Sequence, residues 1–130
     1  MKKYWIAVCF AVFLLTGCTA KINSTLQLNG QPFVPTGCRS GQAFGFSGVE
    51  FTDKDGVRLR LLANADGTCS AALFKAGSAK GDAFGPCGTL AMKTQSSRIN
   101  SIHNLEGAAN LMCRAAARKI EGSIQFENCH

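Results

Sequence analysis

The sequence predicts a small, mostly β protein, folded as an antiparallel β-sandwich or a partly closed barrel with disulfides. Three observations support this prediction. Apolar and polar residues alternate along several short segments, Asn-Gly and Asp-Gly pairs separate those segments, and cysteines recur along the chain. Alternation with a period of two is typical of half-buried strands, and such pairs favour tight hairpin turns.

The first predicted hairpin is centred on Asn29-Gly30. Leu26 and Leu28 alternate with polar residues before this pair, and residues 31–34 follow it. Because proline cannot donate a backbone hydrogen bond, Pro32 and Pro35 place the second segment at a sheet edge or in a loop.

Residues 37–48 contain four glycines in twelve positions. The segment lacks the spacing of a phosphate-binding loop. We therefore predict irregular backbone or a bulged strand here, with Phe44 and Phe46 on one face.

The clearest hairpin signal lies in residues 49–61. Alternating segments at 49–52 and 57–61 flank a turn that ends in Asp55-Gly56. The residues expected to face the core are Val49, Phe51, Val57, Leu59 and Leu61. Asp53 and Asp55 suggest calcium, but an EF-hand loop needs Glu at its twelfth position, where Asn64 stands. No metal site and no cofactor is predicted.

Similar patterns predict a turn at 64–67 and strands at 69–74, 89–94 and 123–126. Residues 75–87 are rich in glycine and small residues, so we interpret them as a loop, whereas residues 97–105 are ambiguous.

Residues 108–120 are open to two interpretations. Alanine-rich composition and a polar stripe at Asn110, Arg114 and Arg118 indicate a short C-terminal helix. Gly107 and Gly122 precede two similar segments, which indicates a hairpin, and we favour the hairpin.

The N-terminal segment determines the expected compartment. Lys2 and Lys3 precede an apolar block at residues 4–15, which ends in Leu-Thr-Gly-Cys at 15–18. As a helix of twelve residues the block spans about 18 Å, less than the bilayer core of about 30 Å. This length is typical of an export signal. The final motif resembles the lipobox of bacterial lipoproteins.

That resemblance implies cleavage between Gly17 and Cys18 and attachment of fatty acyl chains, such as palmitate, to Cys18. Several chains together would make the anchor permanent. Thr19 follows Cys18, in place of the Asp that often marks inner-membrane retention, which favours the outer membrane. Alternatives are an ordinary signal peptide with an incidental Cys18, or an uncleaved anchor.

The expected organisation is a signal peptide at 1–17, a lipidated tether at 18–25 and a single β-rich domain at 26–130. Removing 17 of the 130 residues leaves 113, which suits one domain. The formal net charge of +6 falls to +4 when Lys2 and Lys3 leave. Because the basic residues are scattered along the chain, we predict no nucleic-acid partner.

Five cysteines remain once Cys9 leaves with the signal and Cys18 is lipidated. In an exported protein such cysteines indicate disulfides, and there is no Cys-x-x-Cys pair to suggest zinc or redox chemistry. We predict two bridges and one free thiol. The expected pairs are Cys113–Cys129 and Cys38–Cys87, leaving Cys69 free.

No catalytic constellation is evident, so the protein is predicted not to be an enzyme. Only His103 and His130 could serve a nucleophile. The enzymatic alternative combines His103 with the thiol of Cys69 or Cys38.

We therefore expect an outer-membrane lipoprotein that acts as an accessory or scaffold subunit of a cell-envelope complex, with the membrane and an envelope protein as partners. The ending at residues 126–130 resembles small cysteine-containing lipoproteins of myxobacteria, some of which serve gliding motility, and this resemblance implies a motility machinery as one alternative. Another alternative is an inhibitor of a hydrolase such as lysozyme or a protease, acting through residues 37–48 or 76–87.

Overall fold

A computed structural model describes residues 19–130, which form one antiparallel sheet of ten strands. The strands are β1 (Lys21–Ser24), β2 (Gln27–Leu28), β3 (Gln31–Pro32), β4 (Pro35–Ser40), β5 (Gly48–Asp53), β6 (Arg58–Ala63), β7 (Thr68–Phe74), β8 (Gly81–Ile99), β9 (Ile102–Ala115) and β10 (Arg118–Cys129). A 3₁₀ helix, Gly41–Phe44, follows β4. Strands account for 70% of the structure and helical residues for 4%, so the mostly β prediction is confirmed.

The sheet is a continuous meander from β4 to β10, with β2 and then β3 beyond β10. β1 also pairs with β10. The sheet is not closed by hydrogen bonds, but a disulfide between Cys38 on β4 and Cys129 on β10 connects strands far apart in the sheet order. The sheet packs around one hydrophobic core, to which nearly every strand contributes.

The local hairpin predictions are confirmed. Asn29 and Gly30 connect β2 and β3 with φ of 52° and 79°, the two positive values that a type I′ turn requires. The hairpin of β5 and β6 buries Val49, Phe51 and Leu59 completely. The strands predicted at 69–74, 89–94 and 123–126 lie within β7, β8 and β10, and the turn predicted at 64–67 connects β6 to β7.

Two segments differ from the local predictions. Lys21–Ser24, which the sequence analysis assigned to the tether at 18–25, forms strand β1 and pairs with β10. Residues 81–87, interpreted as part of a loop, form the start of β8 and pair with β7 across two register shifts. These bulges accommodate Pro86 and the local glycines in a strand.

The C-terminal helix alternative is wrong and the favoured hairpin is confirmed. β9 and β10 pair along their length, from Ala115 opposite Arg118 to Leu105 opposite Cys129. The turn between them places Ala116 at a φ of 54°. Ala109, Leu111 and Cys113 all face the core, with a period of two. Burial on the sheet therefore outweighs the helix propensity of the alanine-rich segment.

The structure forms disulfides between Cys38 and Cys129 and between Cys87 and Cys113. The four bridged cysteines are those that the sequence analysis named, but the predicted pairing is wrong. Cys113 faces Ile120 on β10, and the nine residues from there to Cys129 span about 30 Å of strand. A disulfide needs Cα atoms within about 7 Å, a condition that Cys87 on the adjacent strand β8 meets at 4.9 Å.

Cys69 is a free thiol that is 0% exposed. Its burial raises the pKa of the thiol, because desolvation disfavours the thiolate. We expect iodoacetamide at pH 8 to leave Cys69 unmodified in the native protein and to modify it fully in denaturant. Peptide mass spectrometry would check this, and rapid labelling of Cys69 in the native state would contradict it.

The predicted signal segment, the cleavage site at Gly17 and Cys18, and the lipidation site Cys18 lie outside the described residues. Within residues 19–130, no helix is long and apolar enough to cross a membrane.

Candidate functional site

The outer face of β4, β5 and β6 carries a row of charged residues. Arg39 on β4 lies opposite Glu50 on β5, and Glu50 lies opposite Arg60 on β6. Directly opposed residues share one face of a sheet. The neighbouring positions Val49 and Phe51 point into the core, so this row points away from it.

Glu50 is nearly buried although it lies on the outer face, with 6% of its surface exposed. Arg60 donates to its Oε2 atom from Nε at 2.9 Å, and Arg60 Nη2 lies 2.8 Å from the same oxygen. Arg58 Nη1 lies 3.7 Å from Oε1, and Arg58 Nη2 donates to the Ser78 carbonyl at 2.6 Å. Charge-assisted hydrogen bonds of this kind compensate the desolvation of a buried carboxylate.

Phenylalanine rings cover these guanidinium groups. The Arg60 guanidinium lies 4.5 Å from the centre of the Phe46 ring and 5.0 Å from that of Phe74, while Arg58 lies 4.6 Å from Phe74. These distances are within the range of cation–π contacts. We call the whole set the arginine–phenylalanine face; it consists of Arg39, Phe44, Phe46, Glu50, Arg58, Arg60 and Phe74.

The segment between β4 and β5 positions the two aromatic residues that the sequence analysis singled out. Ser40 is the N-cap of the 3₁₀ helix, and its hydroxyl accepts a hydrogen bond from Gln42 N at 3.3 Å. The chain then turns back, and Phe46 N donates to the Gly41 carbonyl at 3.0 Å. A side chain at Gly41 would overlap Phe46, so this turn requires glycine there. Phe44, 56% exposed, stacks on Arg39.

The face has the chemistry of a binding surface for acidic groups. Two of its three arginines, Arg58 and Arg60, pair with its single carboxylate, and Arg39 lies over the Phe44 ring, so positive charge is in excess. Arg39 and Phe44 are both exposed and form the accessible margin of the face. Arginine and aromatic residues are the types that contribute most to protein interfaces.

A second concave region differs in charge. A groove of about 600 Å³ crosses β1, β10, β9 and β8 and has small residues such as Ala91 and Ala108 in its lining. Its charged residues are two lysines and two glutamates, Lys21, Lys93, Glu106 and Glu127. Lys93 and Glu106 pair at 3.0 Å. Because these charges balance, the groove has less preference for acidic groups than the arginine–phenylalanine face.

The structure does not bring together the residues of the enzymatic alternative. Cys38 is in a disulfide. Cys69 pairs with Gly88 and His103 pairs with Arg98, so the two residues lie ten positions apart along β8, or about 33 Å. His103 Nδ1 instead lies 2.7 Å from the Gln95 carbonyl oxygen. In the part of the chain that is described, no three His, Cys, Asp or Glu side chains are grouped so that they could hold a metal ion.

Sequence reasoning missed most of this face. Arg58 and Arg60 are two positions apart on a predicted strand, which would have placed them on one side of the sheet. The contributions of Arg39, Glu50 and Phe74 depend on the pairing of other strands. Comparisons of this chain with protein-family models, with curated proteins and with solved structures gave no match.

Proposed function

We propose that the protein is an outer-membrane lipoprotein, anchored through Cys18, that acts as a non-enzymatic accessory or scaffold subunit of a cell-envelope complex. The proposed docking site is the arginine–phenylalanine face, and the proposed ligand is an acidic segment of a partner protein. The observation that supports this most directly is the excess of guanidinium groups around buried Glu50, together with exposed Phe44.

Charge and shape favour a protein as the partner. Glu50 holds Arg58 and Arg60 in fixed positions, so little side-chain entropy remains to be lost on binding. An acidic residue of the partner would meet Arg39 at the accessible margin, beside the apolar Phe44 ring. A combined charged and aromatic contact of this kind is typical of an interface hot spot.

The test is site-specific crosslinking in cells with the full-length tagged protein. A photo-crosslinking phenylalanine analogue at position 44 should yield a stoichiometric adduct in which the captured peptide is rich in Asp and Glu. The same analogue at Met112, which is 70% exposed on β9, serves as the matched control and should not capture that peptide.

The charge component has its own prediction. Arg39→Glu should reduce recovery of the captured partner about tenfold, which corresponds to the loss of roughly 1.4 kcal/mol, while Lys119→Glu, a charge reversal on β10, should not. Recovery of the protein alone, or equal capture from positions 44 and 112, would contradict the docking proposal. In that case inhibition of lysozymes and proteases by residues 37–48 is the hypothesis to test. Conversely, capture of a set of motility proteins from position 44 would identify the gliding machinery.

A further inference from the structure

A two-stranded arm projects from the sheet at the turn between β8 and β9. The last residue of β10, Cys129, pairs with Leu105 of β9. Residues 102–104 of β9 therefore extend beyond β10, and they pair only with β8. We call residues 95–104 the β8–β9 arm.

Hydrogen bonds hold the base of the arm against β10. Gln95 Nε2 donates to Asn128 Oδ1 at 3.3 Å, and Asn128 N donates to Gln95 Oε1 at 2.8 Å. Asn104 Nδ2 donates to Ser97 Oγ at 3.0 Å within the arm. The direction of the arm is therefore set by specific contacts at its base.

The arm points toward the end of the domain at which the chain enters. Lys21, the first residue of β1, pairs with Glu127, two residues before Cys129. β1 is antiparallel to β10, and β10 is antiparallel to β9. The start of β1, the end of β10 and the arm consequently lie at the same end of the sheet.

The tip of the arm is apolar and basic. Ile99 pairs with Ile102 across a turn in which Asn100 and Ser101 have φ of 52° and 67°. Ile99 is 40% exposed, and the neighbouring Arg98 is exposed as well. Ile102 is half-buried. An exposed isoleucine paired with a half-buried one, beside a cation, suits the boundary between lipid headgroups and acyl chains.

The reach of the β8–β9 arm is comparable to the length of chain between Cys18 and β1. Four residues separate Leu105 from Ser101, which gives the arm a reach of about 14 Å beyond β10. Three residues separate Lys21 from Cys18, and an extended chain of that length spans at most about 11 Å. A membrane that holds Cys18 therefore lies within the reach of the arm.

We propose that the tip of the β8–β9 arm is a second membrane contact, in which Ile99 and Ile102 enter the headgroup region and Arg98 contacts lipid phosphate. This inference rests on the membrane anchoring in the proposed function. An uncleaved N-terminal anchor would place the bilayer at the same end of the domain, so the inference does not depend on cleavage.

Tryptophan fluorescence can test this proposal, because Trp5 is the only natural tryptophan and lies in the predicted signal peptide. The full chain is expressed in cells, and the membrane-processed protein is reconstituted into vesicles of phosphatidylglycerol and phosphatidylethanolamine with brominated acyl chains. Ile99→Trp is expected to lose at least half of its emission relative to vesicles without bromine. Met112 lies ten residues from Ile102 on β9 and is more exposed than Ile99, at 70% against 40%. Met112→Trp should therefore lose less than a tenth of its emission. The wild-type protein supplies the background from Trp5.

The outcomes separate the two proposals. Flotation with the vesicles but no quenching of Ile99→Trp would overturn the arm contact and leave the anchor in place. Equal quenching at positions 99 and 112 would also overturn the arm contact, since the tip of the arm would then lie no closer to the acyl chains than position 112 does. Failure of the wild-type protein to float would overturn the anchoring and the arm contact together.

Discussion

Replacing Cys38 and Cys129 together by alanine is expected to lower the free energy of unfolding by about 4–5 kcal/mol. The bridge joins residues 91 positions apart, and in the chain-entropy model a loop of that size gives this stabilisation. The same bridge also ties β4 to β10 across a sheet that hydrogen bonds do not close. Urea denaturation of the oxidised protein measures the effect.

The second disulfide provides the matched control. Cys87 and Cys113 are 26 positions apart and lie on adjacent strands, so their replacement by alanine is expected to cost about 3.5 kcal/mol. Reductant should weaken the wild-type protein to the level of a variant that lacks both bridges. A larger loss from the Cys87–Cys113 pair would contradict the order that loop length predicts.

Gly48→Ala is expected to lower the free energy of unfolding by about 3 kcal/mol or more, because two effects coincide at this residue. Gly48 has a φ of 147°, a conformation that side chains rarely adopt. An added Cβ would also overlap the backbone carbonyl of Leu61 on β6. Pairing at the start of β5 would have to shift, and with it the segment that carries Phe46.

Gly37→Ala is the control for this substitution, because Gly37 lies in the same glycine-rich segment and a Cβ there would meet nothing within 4 Å. We expect its free energy of unfolding to change by less than about 1 kcal/mol. Thermal or urea unfolding of both variants provides the comparison. Similar stabilities for the two would show that Gly48 is not required for the β5–β6 pairing.

Much of the fold could be predicted because its elements are local. The turn at Asn29-Gly30 and the alternation that buries Val49, Phe51, Leu59 and Leu61 need only neighbouring residues. Residues 108–120 were harder, because helix propensity and hairpin spacing conflicted there. Burial of Ala109, Leu111 and Cys113 decides for the strand, and burial depends on the rest of the sheet.

The candidate site could be predicted only in part. The sequence analysis predicted a shared face for Phe44 and Phe46. It did not single out Arg58 and Arg60, although their spacing on a predicted strand would have placed them on one face. Glu50 gave no signal of burial, because on its strand it occupies a position that alternation assigns to solvent. Its burial follows from the guanidinium groups of Arg58 and Arg60 and from the rings that cover them.

The sequence by itself determined the β class, the hairpins of β2–β3 and β5–β6, and the four cysteines that form bridges. Tertiary structure decided how those cysteines pair and how arginines of β4 and β6 come to lie opposite Glu50. It also decided that the β8–β9 arm lies at the same end of the sheet as the start of β1. The physical reason is the separation along the chain over which each effect acts. Turn preference and alternation act over a few residues, whereas strand register depends on packing among segments as far apart in the chain as Lys21 and Glu127.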